Sequence, residues 1–315
     1  MPLDPQARAF LDKLERAHAP QMHDLSPEDA RALVMPLQMP REPMERIENR
    51  VIPGPAGAIP VRIYHPRRAE GGARAEPLPV VLYFHGGGWV VGSVSSHDAL
   101  CRRLSNGSEC IVVSVEYRLA PEHKYPAAVE DAYAATTWVS SHADEIGGDP
   151  QRIVVAGDSA GGNLAAAVSV TASQQGGPRL AAQLLIYPIT DYLPDFESYV
   201  RNGRDYFLTT ESIKWFWDHY LVDPEQGAEV TASPLRAGDL SGQPTAIVMV
   251  AEFDPLLDEG LAYADRLEQS GVRVQRFTAE GQIHGFLRRL DIFDRAVSMC
   301  DELCVALKNV MRAGP

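Results

Sequence analysis

Cationic side chains are in short supply: 29 Lys and Arg stand against 42 Asp and Glu in 315 residues, a net charge of −13. Phosphate backbones are bound by clustered Lys and Arg, and no basic stripe with interleaved aromatics occurs, so nucleic acid is not an expected partner. An acidic surface of this kind serves solubility. Long apolar runs are missing too. Asp4, Arg8, Asp12, Lys13, Glu15 and Arg16 interrupt the first apolar positions and no spanning segment follows, so the expectation is a cytoplasmic location without integral membrane contact. Cysteine is scarce: Cys101, Cys110, Cys300 and Cys304 lack paired C-x-x-C spacing and read as buried thiols. H-E-x-x-H is absent and the histidines are scattered, so no metal is expected. No Ser/Gly-rich linker, charge block or internal repeat divides the chain, which points to one domain with insertions. The richest Gly/Ala/Arg patch, RRAEGGARAEP at 67–77, reads as a surface loop.

What is there is an alternation. After a helical N-terminal stretch, DPQARAFLDKLERAHA, a Pro/Gly turn joins RIENRVIPG to IPVRIYHP as a hairpin. Strand-like runs then alternate with helical ones: PVVLYFHGGG, CIVVSVEYR, a helix from Ala127, RIVVAGDS, a helix after Ser159, and AAQLLIYP. TAIVMVAEFDP, LLDEGLAYADRLEQSG, VRVQRFTAEG and a closing helix from about Asp291 complete the series. Strand–helix crossovers give a mainly parallel sheet with helices on both faces, and near-continuous Val/Ile/Leu runs suit strands buried on both sides. Residues 191–224 break the rhythm, being aromatic-rich and helical in their second half, and read as an insertion. Together with the N-terminal helices they are free to cover one end of the sheet.

The chemistry-bearing stretch is IVVAGDSAGGNLAAAV, where a strand hands over to a helix through G-x-S-x-G. That turn lifts the Ser159 hydroxyl above the carboxyl edge of the sheet. Serine is a weak nucleophile and needs a base, and the base needs a carboxylate to orient it. Only His219 and His284 follow Ser159; His219 falls in the aromatic insertion, whereas His284 lies on a loop between Gly281 and Gly285 after the last strand. For the acid, Asp254 ends a strand just before a proline. Glu252 lies deeper in the sheet and Asp258 on the next helix, so they rank behind it. HGGGW, residues 85–89, supplies backbone that can approach an oxyanion closely, with Gly87, Gly88 and Ala160 as donors. Asp158 is read either as a brace for this loop or as a turn carboxylate capping local N–H groups, and His85 as holding the glycine loop through a hydrogen bond. In IKWFWDHYL, Trp215, Phe216, Trp217 and Tyr220 cannot all share one helix face: either some pack on the core while others line the acyl pocket, or the helix is buried all round, and packing is the favoured role for any one of them.

HGGGW, EYRLAPEHKYPAAVEDA, GDSAGGNLAA, AEFDPLLDEG and IHGF, in this order and spacing, resemble the hormone-sensitive-lipase family of α/β-hydrolase esterases over about residues 46–310. The resemblance implies an α/β-hydrolase fold, an eight-stranded, mostly parallel sheet with helices on both faces and a helical cap. The cap would comprise residues 1–45 and 191–224, and the catalytic core 46–190 and 225–315. It carries nucleophile, acid and base over to Ser159, Asp254 and His284, and the oxyanion donors to Gly87, Gly88 and Ala160. Candidate substrate contacts are Trp89, Tyr187, Phe207, Leu208, Trp215, Ile283 and Phe286. The implied reaction is hydrolysis of small short- to medium-chain esters without a cofactor, and relatives suggest a homodimer through an edge strand. Leu257 stands where relatives often have arginine and Gln282 where many have methionine. Two rival readings are an arylacetamide-type amidase or deacetylase, which the same triad serves, and a ligand-binding receptor of the gibberellin type, which lacks the histidine present here as His284.

Overall fold

The computed structural model describes residues 2–34, 36, 41–67 and 76–313; residues 68–75, most of the surface loop read from the sequence, lie outside the described residues. Two short N-terminal helices, α1 (Pro5–Arg16) and α2 (Pro27–Leu33), precede the sheet. Each starts on a side-chain cap: Asp4 accepts from the Gln6 and Ala7 N–H groups and Ser26 from that of Asp29, with proline next in both helices.

Strands β1 (Arg46–Gly54), β2 (Gly57–His65), β3 (Leu78–Phe84), β4 (Ile111–Val115), β5 (Gly148–Asp158), β6 (Ala182–Ile186), β7 (Thr245–Phe253) and β8 (Val274–Ile283) form one eight-stranded sheet in the order β1-β2-β4-β3-β5-β6-β7-β8. The β1–β2 hairpin joins β4 antiparallel; from β4 to β8 every pairing is parallel. Helices α3 (Asp98–Ser108) and α9 (Asp294–Ala313) pack on one face, α4 (Ala127–His142), α5 (Ala160–Gln175) and α8 (Leu257–Gln269) on the other. Alternate residues of each central strand therefore enter two cores: Val81, Tyr83, Val154 and Ala156 face α3 and α9, while Val80, Leu82, Phe84 and Val155 face α4 and α5.

The order β4-β3-β5 decides where a site can form. Chain leaving β3 turns to one face through α3, and chain leaving β5 turns to the other through α5. Their carboxyl ends part at a topological switch point, a crevice between diverging loops. The HGGG loop leaves β3 there and Ser159 leaves β5 beside it.

Two expectations need correction. α3 was not read from the sequence: its stretch, DALCRRLSNGS, ends in Ser, Asn and Gly, residues of poor helix propensity. Gly107 is there for packing, since a Cβ would meet Cys304 Sγ of α9 at 2.6 Å. The closing helix starts at Asp294, after a short 3-10 turn at Phe286–Arg288, rather than at about Asp291. All four cysteines are buried and free.

Residues 191–224 hold α6 (Glu197–Arg201) and α7 (Thr210–Tyr220). α7 buries Trp217 and Tyr220 against Trp89, with the Trp89 and Tyr220 rings stacked at 4.1 Å. α2 is tied to the loops after β3 and β4 by Arg31, which donates to Val90 O at 2.8 Å and Ala120 O at 2.7 Å and pairs with Glu122.

Packing is very close at Gly161, where a Cβ would fall on the carbonyl of Phe84. Gly161→Ala is expected to lower unfolding free energy by about 3 kcal/mol, as overpacking against rigid backbone does. Gly238→Ala, in open space, should stay within about 0.5 kcal/mol. Urea midpoints of the two variants test the contrast.

Candidate active site

Ser159 sits on a tight, strained turn between β5 and α5. Its backbone has φ 56° and ψ −120°, a region that costs a non-glycine residue on the order of 1–3 kcal/mol and is held only where surroundings over-determine it. Those surroundings are visible: Ser159 N–H donates to Ile186 O at 2.9 Å, and a Cβ on Gly157 would fall on the Gly161 carbonyl. The strained turn aims the hydroxyl at His284, whose Nε2 lies 3.0 Å from Ser159 Oγ.

On its other side the imidazole presents Nδ1 to Asp254 Oδ2 at 2.6 Å. Asp254 is fully buried, and its second oxygen accepts the Leu256 N–H at 2.9 Å, so the carboxylate has one free direction of interaction, toward the histidine. Nδ1 must donate to the carboxylate, which leaves Nε2 able to accept from Ser159 Oγ. The Tyr187 ring packs against the imidazole at 4.7 Å between centroids. The two rival acids are occupied elsewhere: Glu252 accepts the Gly281 N–H at 2.7 Å and Asp258 that of Ser198 at 2.8 Å. His219 stays within α7, its Nδ1 on Trp215 O at 2.8 Å.

Gly87 and Gly88 take φ of 125° and 57°, and the Gly87 carbonyl accepts from Val90 and Val91, which folds the loop back on itself. Ala160 starts α5, so its N–H belongs to the unpaired first turn at the positive end of the helix dipole. The loop is braced from below. Asp158 is buried and accepts from Tyr83 OH at 2.7 Å and Gly86 N–H at 2.9 Å, with His97 Nε2 at 3.3 Å. Burial alone would raise the Asp158 pKa; the charge and hydrogen bond of His97, with those of Tyr83 and Gly86, outweigh it and hold the carboxyl well below its usual range. His85 donates from Nδ1 to Gly86 O at 2.9 Å and stacks on Tyr117. Burial pushes its pKa down to about 3, so it is a neutral prop.

A cavity of about 1600 Å³ opens over Ser159 and His284. Phe207, Leu208, Ile283 and Phe286 line it. Trp89, Tyr187 and Trp215 do not: Trp89 is fully buried against α7, Tyr187 supports the imidazole from behind, and Trp215 packs at a tilt on His219. Sequence reasoning missed Ile213 as a wall residue and left Phe216 among four aromatics with packing or pocket roles; Phe216 lies against Gly88, where a Cβ would meet its ring. The i, i+3 spacing of these two on α7 was a usable signal. α1 also contributes, with Phe10 and Leu11, and Phe10 meets Phe207 edge to face at 5.7 Å. Among the described residues no group of three or more His, Cys, Asp or Glu could hold a metal ion.

A serine–histidine–aspartate relay on a strained strand-to-helix turn, with a glycine loop beside it, defines a serine-hydrolase type of centre on a mostly parallel α/β sheet. The family described as alpha/beta hydrolase fold matches residues 81–288. Esterase LipI of Mycobacterium tuberculosis is 41% identical over 277 residues, covering 87% of this chain and 86% of that protein. Carboxylesterase NlhH of the same organism is 40% identical, covering 91% and 90%. Among solved structures, the hyperthermophilic esterase of the archaeon Pyrobaculum calidifontis superposes with a TM-score of 0.91 at 41% identity, covering 98% of this chain and 99% of that one. The chain belongs to the alpha/beta-hydrolase family, in its hormone-sensitive-lipase-like branch.

One buried acid lies behind the wall. Glu259 of α8 accepts the Thr190 N–H at 2.5 Å and the Tyr199 OH at 2.6 Å, and burial raises its pKa from 4.5 to about 8 although both hydrogen bonds oppose this. A folded-state pKa raised this way gives a stability contribution that is complete below about 4.5 and lost as pH rises through about 8. Glu259→Gln should therefore show a melting temperature that declines less than wild type between pH 5 and 8.5. For Asp158→Ala, which strands the Tyr83 hydroxyl, the Gly86 N–H and His97, a loss of about 3 kcal/mol in chemical denaturation at pH 7 is expected.

Proposed function

We propose that this protein is a serine carboxylesterase that hydrolyses short- to medium-chain carboxylic esters through an acyl-enzyme. The observation that carries the reading is the continuous hydrogen-bonded run from Ser159 Oγ through His284 to Asp254, at 3.0 and 2.6 Å, on the floor of an open cavity. Ser159 Oγ attacks the ester carbonyl carbon while its proton passes to His284 Nε2. Asp254 holds the imidazole and stabilises its cation. The carbonyl oxygen, now negative, is received by the N–H groups of Gly87, Gly88 and Ala160. Collapse expels the alkoxide, which takes the proton from Nε2. Water then repeats the sequence on the acyl-enzyme, giving the acid and free Ser159.

In this reading residues 1–45 and 191–224 act as a cap, supported by their shared contribution to the cavity wall, and a bond of 3.1 Å between His23 and Ser212 links the two segments. Phe207, Leu208, Ile283 and Phe286 are its acyl or alcohol contacts. Among the described residues no helix is long and apolar enough to cross a membrane; a cytoplasmic setting is favoured by four unpaired thiols. The homodimer expectation is kept for an edge strand, β1 and β8 being the two ends of the sheet.

Two measurements test the assignment. Ser159→Ala should lose all labelling by a fluorophosphonate probe; labelling that persists at another serine sinks it. On p-nitrophenyl esters from acetate to palmitate, wild type should favour the shorter chains and His284→Ala should lose about a million-fold in kcat, the order of cost of removing the base of such a triad. Comparison with the matching anilides separates ester from amide hydrolysis.

A further inference from the structure

The cavity wall carries a cation that ester hydrolysis does not use. Arg288 ends the short 3-10 turn Phe286–Arg288 just after His284 and lines the same cavity as Ser159 and His284. It is half-buried, and among the described residues its guanidinium has no hydrogen bond or ion pair. Its neighbour Arg289 is satisfied, donating twice to Asp291 at 2.9 Å and lying over the Phe10 ring. The charged groups that act on Arg288 are Asp158, Arg289 and Asp291. Arg289 and Asp291 neutralise each other, and Asp158 keeps its oxygens for Tyr83, Gly86 and His97. Of the acidic residues on the wall, Glu15, Asp205 and Glu211 are exposed, and Glu211 pairs with Lys214. Asp12 is half-buried on α1 and makes no ion pair with Arg288.

A guanidinium set into a cleft without a counter-ion is rare, because desolvation is then uncompensated. Desolvation is the largest influence on Arg288 and lowers its pKa despite the Asp158 charge. The planar fork of five donors matches a carboxylate in two parallel bonds. We propose that Arg288 receives a carboxylate of the substrate, so that the preferred substrates are esters bearing a second, anionic group: half-esters of dicarboxylic acids, or acylated hydroxy acids. The inference rests on the esterase reading and goes further by naming the substrate class and its recognition group.

The test compares anionic and neutral esters in pairs by pH-stat: methyl hydrogen glutarate with methyl pentanoate for an anion on the acyl side, and 3-acetoxypropanoate with propyl acetate for the alcohol side. For one pair, the ratio of anionic to neutral kcat/KM should fall tenfold or more in Arg288→Gln and be kept in part by Arg288→Lys. The pair that responds identifies the side. A ratio unchanged within twofold in both pairs overturns the proposal, as does a wild type that hydrolyses the neutral esters and rejects both anionic ones; the esterase reading survives either result. If wild type hydrolyses none of the four, the esterase reading falls and takes this inference with it. Should Arg288→Gln not fold, inhibition of propyl acetate hydrolysis in wild type decides: glutarate should act at a concentration at least tenfold below that of glutaramide, and equal inhibition counts against Arg288.

Discussion

Where β3 and β5 run out of the sheet side by side, their backbones meet so closely that Gly161 admits only hydrogen against the Phe84 carbonyl. Everything at the site depends on that contact. It lets α5 begin beneath the chain leaving β3 and forces Ser159 into positive φ. It also brings the first N–H groups of α5 next to the glycine loop. Asp158 locks the arrangement from the next position in sequence, since one carboxylate grips the Gly86 N–H of one loop while its own backbone belongs to the other. The strain at Ser159 persists because hydrogen bonds and packing leave the turn no alternative.

Much of this was legible in the sequence because it is written in local chemistry. Glycines at 157, 161, 87 and 88 have no other reason to cluster at strand ends, and the alternation of apolar runs dictates a parallel sheet whose carboxyl edge collects them. Ser159, Asp254 and His284, placed together on chain order, are also neighbours in space. What escaped was non-local. α3 has weak helix formers and is helical because its apolar face is buried beside α9. Trp89, Tyr187 and Trp215 were expected in the pocket, whereas Trp89 is covered by Trp217 and Tyr220 of α7 and Tyr187 packs on the imidazole of His284, contacts made between distant segments. Ile213 and Phe216 line the cavity because the helix that carries them lies across the glycine loop, a docking no single-segment pattern encodes.

The N-terminal helices and the insertion are held by polar ties to the sheet's loops rather than by a shared core alone. Arg31 binds two backbone carbonyls and a carboxylate near the glycine loop. α1 is pinned at its start by Asp4 N–H on Gly281 O, three residues before His284. Directional bonds of this sort set the height of a wall above a reacting centre more sharply than apolar contact does.

The second tie is at the acid. Ser198 donates to Pro255 O at 2.6 Å, and Asn202 donates to the carbonyls of Glu252 and Asp254, each at 3.1 Å. The chain that makes these bonds continues directly into Phe207, which lies against Gly285. The turn bearing Asp254 and the side chain that shapes the pocket are thus one mechanical piece. Variation around 198–208 that widens the pocket would disturb the acid as well, so substrate range and turnover cannot drift independently from this side. On the α1 side Phe10 reaches the same pocket from a helix whose start is bonded to Gly281, in the chain leading to His284, rather than to the turn bearing Asp254. Each wall is thus tethered to a different partner, one to the turn of Asp254 and the other to the approach to His284.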